Sequence, residues 1–158
     1  MVIQDLQAAN QTTIELAPDF APESILPAFQ FSSAFSTGFA PTAVVIDLYG
    51  SLAIPAKAAA IVSGLLLGLS GCHPTRISHH TLFALLNDLH TGKPLHLNGS
   101  IPIPFRPAEH IILHNSGLTP SHPDGIRLTA YHHLHPLVTR EYYATPNNGQ
   151  PQISFTEC

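Results

Sequence analysis

Apolar residues recur along this chain with two periods, and the change from one to the other divides it. Ala43 to Leu48, AVVIDL, packs β-branched and aliphatic residues into a run too short for a helix and ends at Tyr49-Gly50-Ser51, which predicts a buried strand. A longer apolar stretch from about Lys57 to Leu69 predicts a buried helix closed by Gly71. In SHHTLFALLNDLH, Leu82, Leu85, Leu86 and Leu89 fall at i, i+3, i+4 and i+7, the single stripe of an amphipathic helix, with Ser78 as N-cap and Gly92 as terminator. Beyond Pro94 the period shortens. Ile101 to Phe105, His110 to Leu113, Ile126 to Tyr131, Val138 to Tyr143 and Gln152 to Phe155 are short runs separated by Pro, Gly and Asn, and predict strands, mostly antiparallel. Before Ala43, Pro18, Pro22 and Pro27 interrupt any period, so short helical pieces and loop are expected, with Phe29, Phe31, Phe35 and Phe39 packing onto the remainder. The pattern as a whole predicts an α+β domain, a mixed and mainly antiparallel sheet with two helices on one face. It divides the chain into a Pro- and Phe-rich segment over 1–40 and a domain over 41–158.

Composition narrows the partners. The chain has 158 residues, enough for one domain, and only 10% of them are charged, against about 25% in ordinary globular proteins. Six Lys and Arg against ten Asp and Glu make no basic patch, which argues against nucleic acid. The longest apolar run, Ala58 to Leu69, falls short of the roughly 20 residues that span a bilayer, so no membrane segment is expected. The start, MVIQDLQAANQTT, lacks the basic and apolar regions of a secretory signal, so a cytoplasmic protein is expected. A weakly charged surface suits an interface with a partner, and a plain neutral surface accounts for it equally well. Cys72 and Cys158 are expected as free thiols and cannot by themselves complete a zinc or iron–sulfur site.

Three groups of residues invite chemistry. Eleven histidines include the pairs His79-His80 and His110 with His114, and the run His132-His133-x-His135. On a strand His133 and His135 share a face and with a third ligand suit zinc, while a polar His-rich loop explains the same residues without a metal. In SHPDGIRLTAY, Pro123-Asp124-Gly125 signals a tight turn that presents His122 and Asp124 to one place. Such a pair can hold a small polar ligand, His donating to a carboxylate and Asp accepting from an ammonium; a simple hairpin turn is the competing explanation. Lys57, at the start of the first long helix, either joins backbone amides in holding an anion or is an ordinary exposed lysine.

DLYGSLAIPAK, LLLGLSGCHP, SHPDGIRLTAY and TREYYATPNNG, in that order, resemble the β chain or N-terminal β domain of the iron–sulfur-dependent L-serine dehydratases. That family typically has a LYGSL strand and turn leading into Gly-Lys-Gly-His-x-Thr-Asp, a Gly-Leu-x-Gly-x-x-Pro helix end, a His-Pro-Asn-Gly turn, and a Tyr-Tyr-Ser-x-Gly-Gly-Gly strand end. The resemblance covers about residues 42–156. Tyr49, Gly50, Ser51, Leu52 and Lys57 agree with the first motif, whereas Ala56, Ala58, Ala59, Ile61 and Val62 replace its glycines, histidine, threonine and aspartate, with Ala60 at its variable position. His122, Pro123 and Gly125 agree with the third, and Asp124 replaces its asparagine. Tyr142 and Tyr143 agree with the last, followed by Thr145, Pro146, Asn147 and Asn148 where glycines are usual. Ser32-Ser33 and Ser36-Thr37 only faintly match the family's N-terminal Ser-Ser-Ser-His-Thr.

The resemblance implies a fold similar to the allosteric substrate-binding domain of some phosphoglycerate dehydrogenases. It also implies a regulatory L-serine pocket made by Tyr49, Gly50, Ser51, His122, Asp124 and Gly125, with Lys57 as candidate catalytic residue. The implied reaction, L-serine to pyruvate and ammonia, uses a 4Fe–4S cluster held by an α chain or domain, with no cofactor in this chain. The α chain and a second copy in a homodimer are the expected protein partners. The competing readings are a catalytically degenerate relative that binds a small amino or hydroxy acid or a protein, and a His-rich metal-binding module.

Overall fold

A computed structural model describes residues 20–35, 40–146 and 153–157. Its helices are α1 (Ile25–Ser32), α2 (Pro55–Leu69), α3 (His79–His90) and the single turn α4 (Pro107–His110). Its strands are β1 (Ala43–Tyr49), β2 (Leu95–Leu97), β3 (Ile101–Ile103), β4 (Ile111–Leu113), β5 (Gly125–His132), β6 (His135–Pro146) and β7 (Ile153–Glu157). A five-stranded sheet runs in the order β4-β1-β5-β6-β7, with β1 and β4 parallel and every other pair antiparallel. The expected α+β fold with a mixed, mainly antiparallel sheet is therefore present. The strand expected over Ile101 to Phe105 joins no edge of this sheet; it is shorter and forms a separate two-stranded ribbon with β2.

Alternation along the strands sorts the two faces. Val44, Ile46 and Leu48 of β1 and Ile126, Leu128 and Ala130 of β5 are buried against Ala58, Ile61, Val62, Leu65, Leu66 and Leu69 of α2, making the core. α3 adds Leu89 to that core and packs Leu82 against Ile25 and Leu67. The opposite face carries Val45, Asp47 and Tyr49 beside Thr129, Arg127 and Gly125, and among the described residues no long helix covers it.

The helices hold one addition to the expectation. Ile25–Ser32 is a full helix, with Ile25, Ala28 and Phe31 buried, and it lies on α2 at two glycines. A Cβ at Gly64 would collide with Ser24 and Ala21, and one at Gly68 would lie 2.7 Å from Phe29 N. The approach is sealed by hydroxyls, Ser24 Oγ donating to Ile61 O at 3.0 Å and Ser32 Oγ to Gly68 O at 3.1 Å. Pro27 does not break the helix because it sits in the first turn, where backbone N–H groups lack intrahelical partners.

Boundaries follow local chemistry. α2 begins at Pro55, two residues before the expected start, with proline at its first position. Ser78 caps α3 as expected, its Oγ accepting from Thr81 N at 3.1 Å. Past Gly71, Cys72 N donates to Leu67 O, and past Gly92, Lys93 N donates to Asp88 O, the closing bonds of Schellman ends. No helix among the described residues is long and apolar enough to cross a membrane. Expectations resting on Pro18, Ser36, Thr37, Phe39, Asn147, Asn148, Gln152 and Cys158 lie outside the described residues.

Candidate functional site

The two glycine turns meet at one end of the main sheet. Tyr49 at the end of β1 pairs in register with Gly125 at the start of β5, which pairs in turn with Tyr143 of β6. The chain after Tyr49 turns at Gly50, whose φ of +67° is left-handed. A side chain there would collide with Asp124 Oδ1 and lie 2.6 Å from Pro123 O, so the glycine lets the two turns touch. Asp124 Oδ1 then accepts from Ser51 N at 2.8 Å, joining residues 73 apart in sequence. Ser51, far in the chain from the adjacent Asp124 and Gly125, thus forms one structural unit with them.

The loop from His114 to Asp124 lies across the row Tyr49, Gly125, Tyr143 and covers each member. His114 stacks on Tyr49, rings 4.1 Å apart and 4° from parallel; His122 stacks on Tyr143 at 3.8 Å and 15°. Leu118 occupies the space a side chain at Gly125 would need. The loop is pinned by Gly50 N to Ser116 O at 3.1 Å, Leu118 N to Pro123 O at 2.9 Å and His122 N to Thr119 Oγ1 at 2.9 Å. His122 stays exposed above this row, and Asp124 is half-buried.

Beneath the loop a network of charges runs across the strands. Asp47 Oδ1 meets His114 Nε2 at 2.8 Å. Arg127 donates from Nε to Glu141 Oε2 at 2.7 Å and from Nη1 to Tyr49 Oη at 2.6 Å, its guanidinium carbon 5.2 Å from the centre of the Tyr49 ring. Burial, reinforced by the Asp47 carboxylate, pushes the Tyr49 hydroxyl above its usual pKa and keeps it protonated. Burial works against the Arg127 charge, but its bond to Glu141 and its acidic neighbours win and raise it. Tyr49, a sequence candidate for ligand contact, is therefore buried with its hydroxyl engaged by Arg127. The sequence reading missed Asp47, Arg127, Glu141 and the pairing role of His114. Charged residues at alternate positions inside apolar strands were the available signal.

Lys57 is exposed in the first turn of α2, the helix that the Gly50–Ala53 turn feeds, and makes no ion pair or hydrogen bond among the described residues. A cation there opposes the helix dipole, so helix stability does not account for it. Ile54 at the N-cap offers no side-chain acceptor, which leaves the first N–H groups of α2 uncapped. The following Ala58 is completely buried.

The premise of the zinc reading does not hold. His133 and His135 share no strand face, because His133 stands in the β5–β6 turn with φ +56° and His135 opens β6 opposite His132. Among the described residues no group of three or more His, Cys, Asp or Glu is placed to hold a metal ion. An iron–sulfur cluster asks for three or four thiolates, and this chain has two cysteines, of which Cys72 lies 3.7 Å from Ser70 Oγ. These residues do not fit the cluster.

Comparison with known proteins adds ancestry to this geometry. The family described as serine dehydratase beta chain matches residues 20–146. An L-serine dehydratase of Mycobacterium bovis and one of Mycobacterium tuberculosis are each 33% identical over 103 residues, 65% of this chain and 22% of theirs. L-serine dehydratase TdcG of Escherichia coli is 30% identical over 102 residues, 64% of this chain and 22% of its own length. The aligned stretch thus spans about a fifth of these curated relatives. With the matched region covering α1 through β6, including both turns, this chain belongs to the serine dehydratase beta chain family.

Proposed function

We propose that the chain is the β domain of an L-serine dehydratase, and that its paired turns bind L-serine as a regulatory ligand. The observation that carries this reading is the joining of the Gly50-Ser51 and Asp124-Gly125 turns by the Asp124 to Ser51 hydrogen bond, at the end of the sheet where His122 stays exposed. Asp124 keeps its second oxygen for the ammonium of serine, and His122 donates to its carboxylate. The uncapped start of α2 and the Lys57 ammonium add positive potential for the same carboxylate. An α chain or domain would hold the 4Fe–4S cluster, which would supply Lewis-acid chemistry for conversion of L-serine to pyruvate and ammonia. The assembly works in the cytoplasm, and a homodimer of the chain fits its weakly charged surface.

A second reading has its own observation. The turn of α2 that follows Lys57 offers only the methyl groups of Ala58, Ala59 and Ala60, so a relative that has lost catalysis and keeps ligand binding is consistent with this helix. Mixing the chain with an α chain from the same genome separates the two. The main reading expects co-elution on gel filtration and pyruvate formation that needs both chains; no association and no pyruvate would contradict it and leave the degenerate relative.

A further inference from the structure

The face of the main sheet opposite the helices holds a cleft of about 530 Å³, bounded by α4 on one side and the β5–β6 hairpin tip on the other. That size lies within the roughly 300–1,000 Å³ of ordinary ligand pockets. Its floor contains a polar group with nothing to do. Thr129 is only 5% exposed, lines the cleft, and its hydroxyl makes no hydrogen bond among the described residues. Buried hydroxyls are almost always paired, and leaving one unpaired costs about 1–3 kcal/mol. Asp47, 8% exposed on the neighbouring strand, spends one carboxylate oxygen on His114 and makes no other hydrogen bond or ion pair among the described residues. Since Val45 is the residue opposite Thr129, Asp47 and Thr129 are diagonal neighbours, with Cα atoms about 7–8 Å apart, close enough for one donor group to serve both.

The opposite charge is on the same row. Arg127 faces Asp47 across the strands, and of the five N–H donors of a guanidinium one each on Nε, Nη1 and Nη2 is engaged, so each Nη keeps one. Val45, Ile112 and Tyr131 give the same floor an apolar part, and Glu109 and His110 of α4 and His133 and Leu134 of the hairpin tip stand at its sides. We propose that this cleft is a second ligand site, which takes an α-amino acid with an aliphatic side chain. Asp47 and Thr129 accept from the ammonium, the spare Arg127 donors hold the carboxylate, and Val45, Ile112 and Tyr131 cover the side chain. The site does not depend on serine binding at the paired turns.

Calorimetric titration of the 158-residue chain with L-leucine, isoamylamine and isocaproate tests it. Leucine binds, and the amine and the acid, each lacking one half of the zwitterion, bind about tenfold more weakly or worse. Thr129→Val, which keeps the shape and removes only the unpaired hydroxyl, weakens leucine about tenfold without lowering the melting temperature. Leucine binding survives in His122→Ala. The proposal is overturned by absence of leucine binding to the unmodified chain, by an amine as tight as leucine, by a Thr129→Val variant that binds normally, or by loss of leucine binding in His122→Ala.

Discussion

Gly50 and Asp124 are the residues on which the paired turns depend, and each makes a separate demand. At Gly50 an alanine would meet a left-handed φ that costs an L-residue about 1–2 kcal/mol, besides the collision with Asp124 and Pro123. Gly50→Ala is expected to lower stability by at least about 2 kcal/mol in urea unfolding. Asp124 serves the turn only through Oδ1 as an acceptor, a role asparagine fills equally. Asp124→Asn should therefore change stability by less than about 0.5 kcal/mol, whereas Asp124→Ala, which orphans Ser51 N–H, should cost about 1–2 kcal/mol. Tyr142 makes a pH prediction. Burial, with help from Glu157 and against Arg140, pushes its hydroxyl up to about 12. Because the folded value exceeds the unfolded one of about 10, its contribution is complete below pH 10 and is lost as pH rises through about 12. Urea midpoints should fall across that window, and Tyr142→Phe should fall less steeply; parallel curves would refute the assignment.

Element by element, the local signals succeeded where they were local. The Ser78 cap, the glycine stops after α2 and α3, and the apolar run of β1 each announce themselves within a few residues. Ser78→Ala is expected to cost about 1 kcal/mol for that reason. α1 was hidden because Pro27 and the scattered phenylalanines mask its period, and its position comes from Gly64 and Gly68, far along the chain. Gly68→Ala should destabilise the chain strongly, since the α1 backbone itself would have to retreat; a melting temperature equal to that of the unmodified chain would contradict the packing described. The ribbon of β2 and β3 has strands of three residues, too short for any period to show. At the site, both turns were legible from their glycines and prolines. The Asp47, His114, Tyr49, Arg127 and Glu141 network was not, because it exists only through the register of β1, β5 and β6 and a loop folded back over them.

For the molecule as a whole, helices cover one face of the sheet, and the other holds a row of stacked rings at one end and a cleft beyond it. Only 10% of the 158 residues are charged. Salt should therefore affect the folded state little, since the ion pairs Lys93 with Asp88 and Arg140 with Glu157 are exposed and worth little. Isothermal titration of the 158-residue chain with L-serine, using D-serine and L-alanine as controls, is the decisive measurement for the L-serine pocket proposed at the paired turns. Stereoselective binding of L-serine that disappears in His122→Ala is expected. No heat from a folded chain with any of the three, or binding that ignores the chirality of serine, would contradict it.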